Sequence, residues 1–258
     1  MLPAARRARL LSELNGSGVL STDEIAERLG VSGETTRRDI ALLERNGQLV
    51  RVHGGAMSLA DASHVKTEEP FDIRLDEQRE AKARIGAAAA ALVKNGDIVA
   101  IDVGTTSLQI AKALPKDFRG VVATPCLLVA AELAGRPGLD VLLSGGWVRG
   151  GDLACSNAQA VEFFRKLNTD VAFLSSGGVT VREGLTDFYR DETATRQEML
   201  RNSSRAYIVA DSSKVGKVAP YHVCDITDVT GVITDSAPPD PLVHELDRRG
   251  VQLILATG

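Results

Sequence analysis

Seven short apolar runs recur through the C-terminal two thirds of the chain: Ile98–Val103, Gly120–Ala123, Val141–Leu143, Val171–Leu174, Tyr207–Ala210, Val229–Ile233 and Val251–Leu255. Most are separated by stretches of helical period, at 106–114, 126–134, 156–167 and 191–202. Strands alternating with helices form a mostly parallel sheet covered by helices on both faces. The alanine run Ala87–Ala91 falls in a helix predicted over about 78–94, where small side chains give a close-packed face.

The first 56 residues follow a different period. Leu10, Leu11 and Leu14 mark a helix over 5–14 that Asn15-Gly16-Ser17-Gly18 stops. Ser21, three residues before Glu24, forms a capping box that opens a second short helix through Ile25, Ala26 and Leu29. After a Gly30-Val31-Ser32 turn, Ser32 caps a third helix with Thr36, Ile40 and Leu43 on one face. Asn46-Gly47 ends it, and Gln48–His53 alternates like a hairpin before Gly54-Gly55. Three short helices and a β-wing describe a winged helix-turn-helix over residues 1–57. The polar stretch 58–77 reads as a linker, and 78–258 as a larger Rossmann-like α/β domain. A length of 258 residues agrees with two domains.

Composition excludes more than it assigns. With 44% hydrophobic residues, 25% charged residues and 3 Cys, the chain is neither a disulfide scaffold nor wholly disordered. Cys126, Cys155 and Cys224 are too scattered for a metal cluster. The longest apolar run, Ala87–Val93, is far short of the roughly 20 residues a membrane span needs. No apolar signal-peptide core follows Arg6, Arg7 and Arg9. The expectation is a cytoplasmic protein without metal, cofactor or membrane contact. Net charge is −4, and the first 56 residues sum to only +1 from eight Arg against seven acidic side chains. Charge alone therefore does not assign nucleic-acid binding.

The third helix supplies a sharper signal, opening Ser32-Gly33-Glu34-Thr35-Thr36-Arg37-Arg38. In a helix-turn-helix this segment enters the major groove, where hydroxyls and guanidinium forks contact phosphates and base edges. Arg51 and His53 on the wing are placed to grip backbone or minor groove, and Gly54-Gly55 permit close main-chain approach. Ser21, capping the preceding helix, completes the candidate DNA face. The bland alternative makes Arg37 and Arg38 a solvated face paired with Glu34 and Asp39. The strings Ile25–Ser32, Thr35–Ile40 and Arg51–Ala56 together resemble the DeoR family of bacterial transcriptional regulators. Thr36 departs from the family's usual aliphatic residue, and its hydroxyl is expected to bond back to a helical carbonyl.

In the second domain Gly104-Thr105-Thr106 follows a strand and opens a helix, the chemistry of an anion site. Neither a Walker A lysine nor a G-x-G-x-x-G fingerprint accompanies it. Other strand ends supply Thr124-Pro125-Cys126, Gly145-Gly146, Gly177-Gly178 and Asp211-Ser212-Ser213-Lys214, small residues suited to one shared cleft. Residues 78–258 resemble the DeoR effector domain, through Asp102–Thr106, Leu143–Gly146, Gly184–Thr186 with Asp191-Glu192, and Ala210–Lys214. That resemblance implies a fold similar to ribose-5-phosphate isomerase and a phosphorylated sugar or polyol as inducer. Gly104, Thr105 and Thr106 would hold its phosphate, and Asp102, Asp187, Glu192 and Lys214 would face its hydroxyls or carbonyl. Thr124-Pro125-Cys126 replaces the family's usual Thr-Asn-Ser, and Leu174–Gly178 lacks the carboxylates that the isomerases carry there. Arg196 stands where Lys is common, four residues after Glu192 and so at ion-pair spacing.

The leading expectation is a repressor acting on double-stranded operator DNA, released by a phosphorylated sugar. Because a winged helix makes few base contacts, it is expected to work as a homodimer or larger even oligomer. The alternatives are an isomerase-like enzyme with a DNA-binding appendage, and a DNA-binding protein whose sheet domain only dimerises.

Overall fold

The computed structural model describes residues 2–17, 19–46, 48–52, 54–58 and 67–257. The chain divides into two compact units, Met1–Val65 and Lys66–Gly258.

The first unit contains α1 (Pro3–Ser17), β1 (Val19–Ser21), α2 (Thr22–Leu29), α3 (Gly33–Arg45), β2 (Val50–Val52) and β3 (Gly55–Met57). Helix α1 runs through Asn15 and Gly16, past the expected stop. The Ser21–Glu24 capping box is present: Glu24 N donates to Ser21 Oγ at 3.2 Å, and Ser21 N donates back to Glu24 Oε2 at 2.8 Å. Gly30 ends α2 at φ +66°, and Ser32 Oγ accepts from Thr35 N at 3.3 Å to open α3. Leu10, Leu14, Ile25, Leu29, Ile40 and Leu43 close one core with Leu20, Leu49 and Ala56. The wing has three strands, with β3 antiparallel to both β1 and β2. The sequence reading missed β1, which is only three residues long.

The second unit opens with α4 (Phe71–Asp76) and α5 (Arg79–Ala90). The alternating part follows as β4 (Ile98–Ile101), α6 (Thr105–Ala113), β5 (Gly120–Thr124), α7 (Leu127–Leu133), β6 (Leu139–Leu143), α8 (Ala158–Arg165) and β7 (Val171–Ser175). The chain continues through β8 (Gly178–Thr180), β9 (Gly184–Asp187), α9 (Arg190–Arg201), β10 (Ala206–Val209), β11 (Tyr221–Cys224), β12 (Gly231–Thr234), α10 (Asp240–Arg249) and β13 (Gln252–Leu255).

All seven expected apolar runs become strands of one parallel sheet, ordered β13-β12-β10-β7-β4-β5-β6. Along β4, Val99 and Ile101 pack with Ile85, Ile110 and Leu133 from α5, α6 and α7. Ala100 faces the opposite core, with Phe164, Met199 and Leu246 from α8, α9 and α10. Burial on both faces is why β4 and β7 read as continuous apolar runs. A separate antiparallel sheet, β11-β9-β8, was not expected, because its strands hold three or four residues without clear alternation.

The strand order fixes where a ligand site belongs. From β4 the chain winds outward through β5 and β6; from β7 it winds the opposite way through β10, β12 and β13. The connections leaving the carboxyl ends of β4 and β7 therefore diverge, which opens a crevice between them.

The segment read as a linker is partly built structure. Helix α4 lies within it, Arg74 is buried there, and residues 67–77 belong to the second unit. In α5 the small-residue face is real: Gly86 sits where an added Cβ would lie 2.6 Å from the carbonyl carbon of Gln109 in α6. Gly86→Ala is expected to force α5 and α6 apart and to cost about 1–3 kcal/mol, read as a lower urea midpoint.

Candidate functional site

On the winged unit, Glu34, Arg37 and Arg38 project from the first turns of α3 with more than half of each side chain exposed. Arg38 Nε donates to Glu34 Oε1 at 3.2 Å, and Arg37 Nη1 lies 4.0 Å from Glu34 Oε2. The expected pairing with Glu34 is therefore present, but exposed pairs of this kind contribute only a few tenths of a kcal/mol and yield readily to phosphate. Thr22, Arg37, Arg51 and Gly54 line a concave face shared by α2, α3 and the wing. Asp39 is no part of it. Its buried carboxylate accepts from Arg6 Nε at 2.5 Å and Nη2 at 3.2 Å, tying α1 to α3.

In the sheet unit a crevice opens at the divergence of β4 and β7. The Gly104-Thr105-Thr106 turn lines it, with Gly104 at φ +131° just ahead of the first residue of α6. An added Cβ on Gly104 would lie 3.2 Å from Ser175 Oγ, and Ser107 and Ser175 share a 2.8 Å hydroxyl contact beneath the turn. Arg74, Lys82 and Lys214 line the same crevice, with Glu68. Burial lowers the pKa of both lysines and raises that of Glu68. Lys82 Nζ donates to the carbonyls of Arg74 (2.5 Å) and Glu77 (2.7 Å), capping α4.

The floor is an ion network. Arg196 donates from Nε to Asp102 Oδ2, from Nη1 to Asp187 Oδ2, and from Nη2 to Glu192 Oε2 at 3.0 Å. Asp102 also accepts from Val103 N at 2.7 Å and Ser175 N at 2.9 Å, pinning the loops after β4 and β7 to each other. Arg149, its guanidinium 3.6 Å over the Tyr189 ring, pairs with both Asp152 and Glu192. Burial works against the Arg149 charge, but the Asp152 hydrogen bond and the two carboxylates more than offset it and raise its pKa. Glu192 is pushed up to about 8, first by burial and then by Asp102, Asp152 and Glu68, against the pull of Arg149. Four buried carboxyls around two guanidiniums favour one bound proton.

Comparison with known proteins agrees with this architecture. A model of the DeoR-like helix-turn-helix domain matches residues 6–62, and one of the DeoR C terminal sensor domain matches residues 77–236. The chain belongs to the DeoR family.

Relatives of this DeoR-family chain include the HTH-type transcriptional regulator GolR of Listeria innocua, 29% identical over 99% of this chain and 100% of the relative. The Glycerol-3-phosphate regulon repressor of Escherichia coli is 30% identical over the same shares of each. Solved structures similar in part include ribose 5-phosphate isomerase A from Methanocaldococcus jannaschii, at 14% identity and a TM-score of 0.40. That match covers 54% of this chain and 55% of the isomerase. The full-length sorbitol operon regulator SorC from Klebsiella pneumoniae matches at 12% identity and a TM-score of 0.37, over 92% and 91%. The chain is thus a transcriptional regulator with a helix-turn-helix unit and a C-terminal sensor unit. Among the described residues no helix is long and apolar enough to cross a membrane.

Within this DeoR-family fold, several expected site residues take other places. Thr36 is fully buried and its hydroxyl donates to Ser32 O at 3.3 Å, so it packs the helix and is not free to reach DNA. Gly55 is buried too: a Cβ there would sit 2.2 Å from Leu20 O, so it serves the β1–β3 pairing and not DNA approach. Ser21 and Ser32 are exposed and cap α2 and α3 with their hydroxyls, and Thr35 Oγ1 lies 3.0 Å from Ser32 Oγ. His53 lies outside the described residues.

In the sheet unit Gly104, Thr105, Thr106, Asp187, Glu192 and Lys214 line the crevice as expected. Asp102 lies beneath it, buried under Arg196. Thr124, Gly145, Gly146, Gly177 and Gly178 are not among the crevice-lining residues. Thr124 Oγ1 accepts from Cys126 N at 3.0 Å, and Gly146 packs on Asn157 and Gln159. Gly177 packs on Phe188, and Gly178 on the Lys217 carbonyl.

The sequence reading missed Glu68, Arg74, Lys82, Arg149 and Asp152. Lys82 left one signal, a lysine sharing the buried face of Ala81, Ile85 and Ala89.

Two outcomes follow for this regulator. Arg196→Met leaves three carboxylates without their shared counter-ion and is expected to cost about 3–5 kcal/mol in urea unfolding. A carboxyl held near 8 when folded, against 4.5 ordinarily, contributes stability that is complete at low pH and is lost as pH rises through about 8. Unfolding midpoints should therefore fall between pH 5 and 8 in the wild type, and Glu192→Gln should flatten that slope.

Proposed function

We propose that this chain represses genes of sugar or polyol catabolism and leaves its operator when a phosphorylated sugar or polyol fills the crevice of the sheet unit. The observation that carries this reading is that the start of α6 at Gly104–Thr106 lines one crevice together with Arg74, Lys82 and Lys214. Helix N-termini and partly dehydrated cations suit a dianionic phosphate, while Asp187 and Glu192 suit the hydroxyls of a polyol. The name of the Escherichia coli relative, a glycerol-3-phosphate regulon repressor, supports a phosphorylated sugar or polyol as ligand.

DNA is the partner of the winged unit, with Arg37, Arg38 and Arg51 as phosphate or base contacts. A symmetric pair of such units on two half-sites supplies useful affinity, so the working form is a homodimer or larger even oligomer in the cytoplasm. Effector binding then has to favour an arrangement that misplaces the paired recognition helices. A coupling of about 1–3 kcal/mol weakens operator binding roughly 5–150-fold. The enzyme reading has less support. Asp102, an acid–base candidate for it, is sealed under Arg196, and no carboxylate follows β7 in Ser175–Gly178.

The test is fluorescence anisotropy on the DNA upstream of the protein's own gene, at fixed salt, titrated with phosphorylated sugars and polyols including glycerol 3-phosphate. Tight binding relieved by one of them is expected. Steady turnover of a pentose phosphate, or DNA affinity indifferent to every compound, would overturn the proposal. Arg38→Ala should weaken operator binding roughly 5–150-fold, by about the 1–3 kcal/mol of a lost base contact, and leave effector affinity unchanged. Thr105→Val should keep operator binding and lose release.

A further inference from the structure

Residues 67–77 join the crevice to the part of the chain that precedes it, and their fastening is unusual. Arg74, 9% exposed, lines the crevice. Its Nη1 lies 2.8 Å from Glu68 Oε1, and its Nε donates to Glu69 O at 2.8 Å. Lys82 holds the other end of the segment through the carbonyls of Arg74 and Glu77. Glu68 also faces the crevice, so one carboxylate occupies a guanidinium that shares an opening with the Gly104–Thr106 turn. The same pair borders a second cavity with Phe71, Arg149 and Tyr189, so Glu68 adjoins open space besides the crevice.

We infer that Arg74 is an anion-recognition residue of the crevice and that Glu68 is a built-in competitor, displaced from Arg74 when a phosphate enters. The inference rests on the phosphate-site reading proposed above. A phosphate dianion carries more charge than a carboxylate and three acceptor oxygens for the same planar fork, so it wins the exchange. Burial already disfavours the charged form of Glu68, which lowers the cost of parting the pair. Displacement frees Glu68 and, with it, the Glu69 carbonyl that Arg74 now holds. Ligand occupancy is thereby converted into release of residues 67–69 while Lys82 keeps α4 in place.

Competition makes a prediction of sign. Glu68→Gln removes the competing charge but keeps the size, and Arg74→Gln removes the receptor. A pair that merely holds the segment together would respond to both substitutions in one direction. The measurement is the affinity of the full-length protein for inorganic phosphate, from the concentration dependence of the thermal unfolding midpoint in chloride buffer of constant ionic strength. Glu68→Gln is expected to bind phosphate about three- to tenfold more tightly, and Arg74→Gln about tenfold or more weakly. Arg74→Lys, which keeps the charge without the fork, should fall between them and guards against a fold defect. Thr105→Val separates the two levels of the argument. If it abolishes phosphate binding while both pair variants weaken binding or leave it unchanged, the competition is overturned and the phosphate site stands. If wild type gains nothing from phosphate, or Thr105→Val gains as much as wild type, the phosphate site itself falls and takes the inference with it.

Discussion

One guanidinium, that of Arg196, is shared by the carboxylates of Asp102, Asp187 and Glu192. These acids come from the end of β4, the end of β9 and the first turn of α9, so a single side chain on one helix fixes three separate elements. None of the four groups would be tolerated there alone, because desolvating an ion costs several kcal/mol unless its partner and hydrogen bonds are in place. Asp102 extends the constraint to the backbone by accepting from Val103 and Ser175, and this sets the spacing of the two loops that flank the crevice. The Gly104–Thr106 turn is therefore positioned by charge, on a sheet positioned by apolar burial.

The sheet was the most legible part of the molecule. Seven runs of branched and small apolar residues bounded by turns leave little choice, because a strand buried on both faces has no polar positions to blur its limits. The capping residues Ser21, Ser32 and Gly30 were legible for a related reason: each does a local job defined by its own neighbours. The crevice was only half legible. Gly104–Thr106 and Lys214 lie next to their strands in sequence, so strand ends predicted them. Arg74, Lys82 and Asp152 reach the opening from elements remote in the chain, and their roles depend on tertiary placement that no local pattern encodes.

The glycine pairs show how composition at a strand end misleads. Gly145-Gly146 and Gly177-Gly178 read as room for a ligand, yet the space beside Gly146, Gly177 and Gly178 is already filled by Asn157, Phe188 and the Lys217 carbonyl. Gly55 repeats the pattern in the wing, where the neighbour is a strand and not a nucleic acid. Thr36 is the converse. A hydroxyl on the recognition helix suggests base contact, but the 3.6-residue period turns that position inward, and the group satisfies itself on Ser32. A polar residue type names a chemistry; the helical face decides whether it is available.

The shared counter-ion also shapes how such a sensor can diverge. A substitution at Asp102, Asp187, Glu192 or Arg196 changes the charge balance for all four, so each is accepted only alongside a compensating change. Two other cations that line the crevice stand outside that network: Arg74 pairs with Glu68, and the Lys214 ammonium has no ion pair or side-chain hydrogen bond among the described residues. Descendants of this chain that respond to new ligands should therefore differ first along residues 68–74 and at 214, over an unchanged ionic floor.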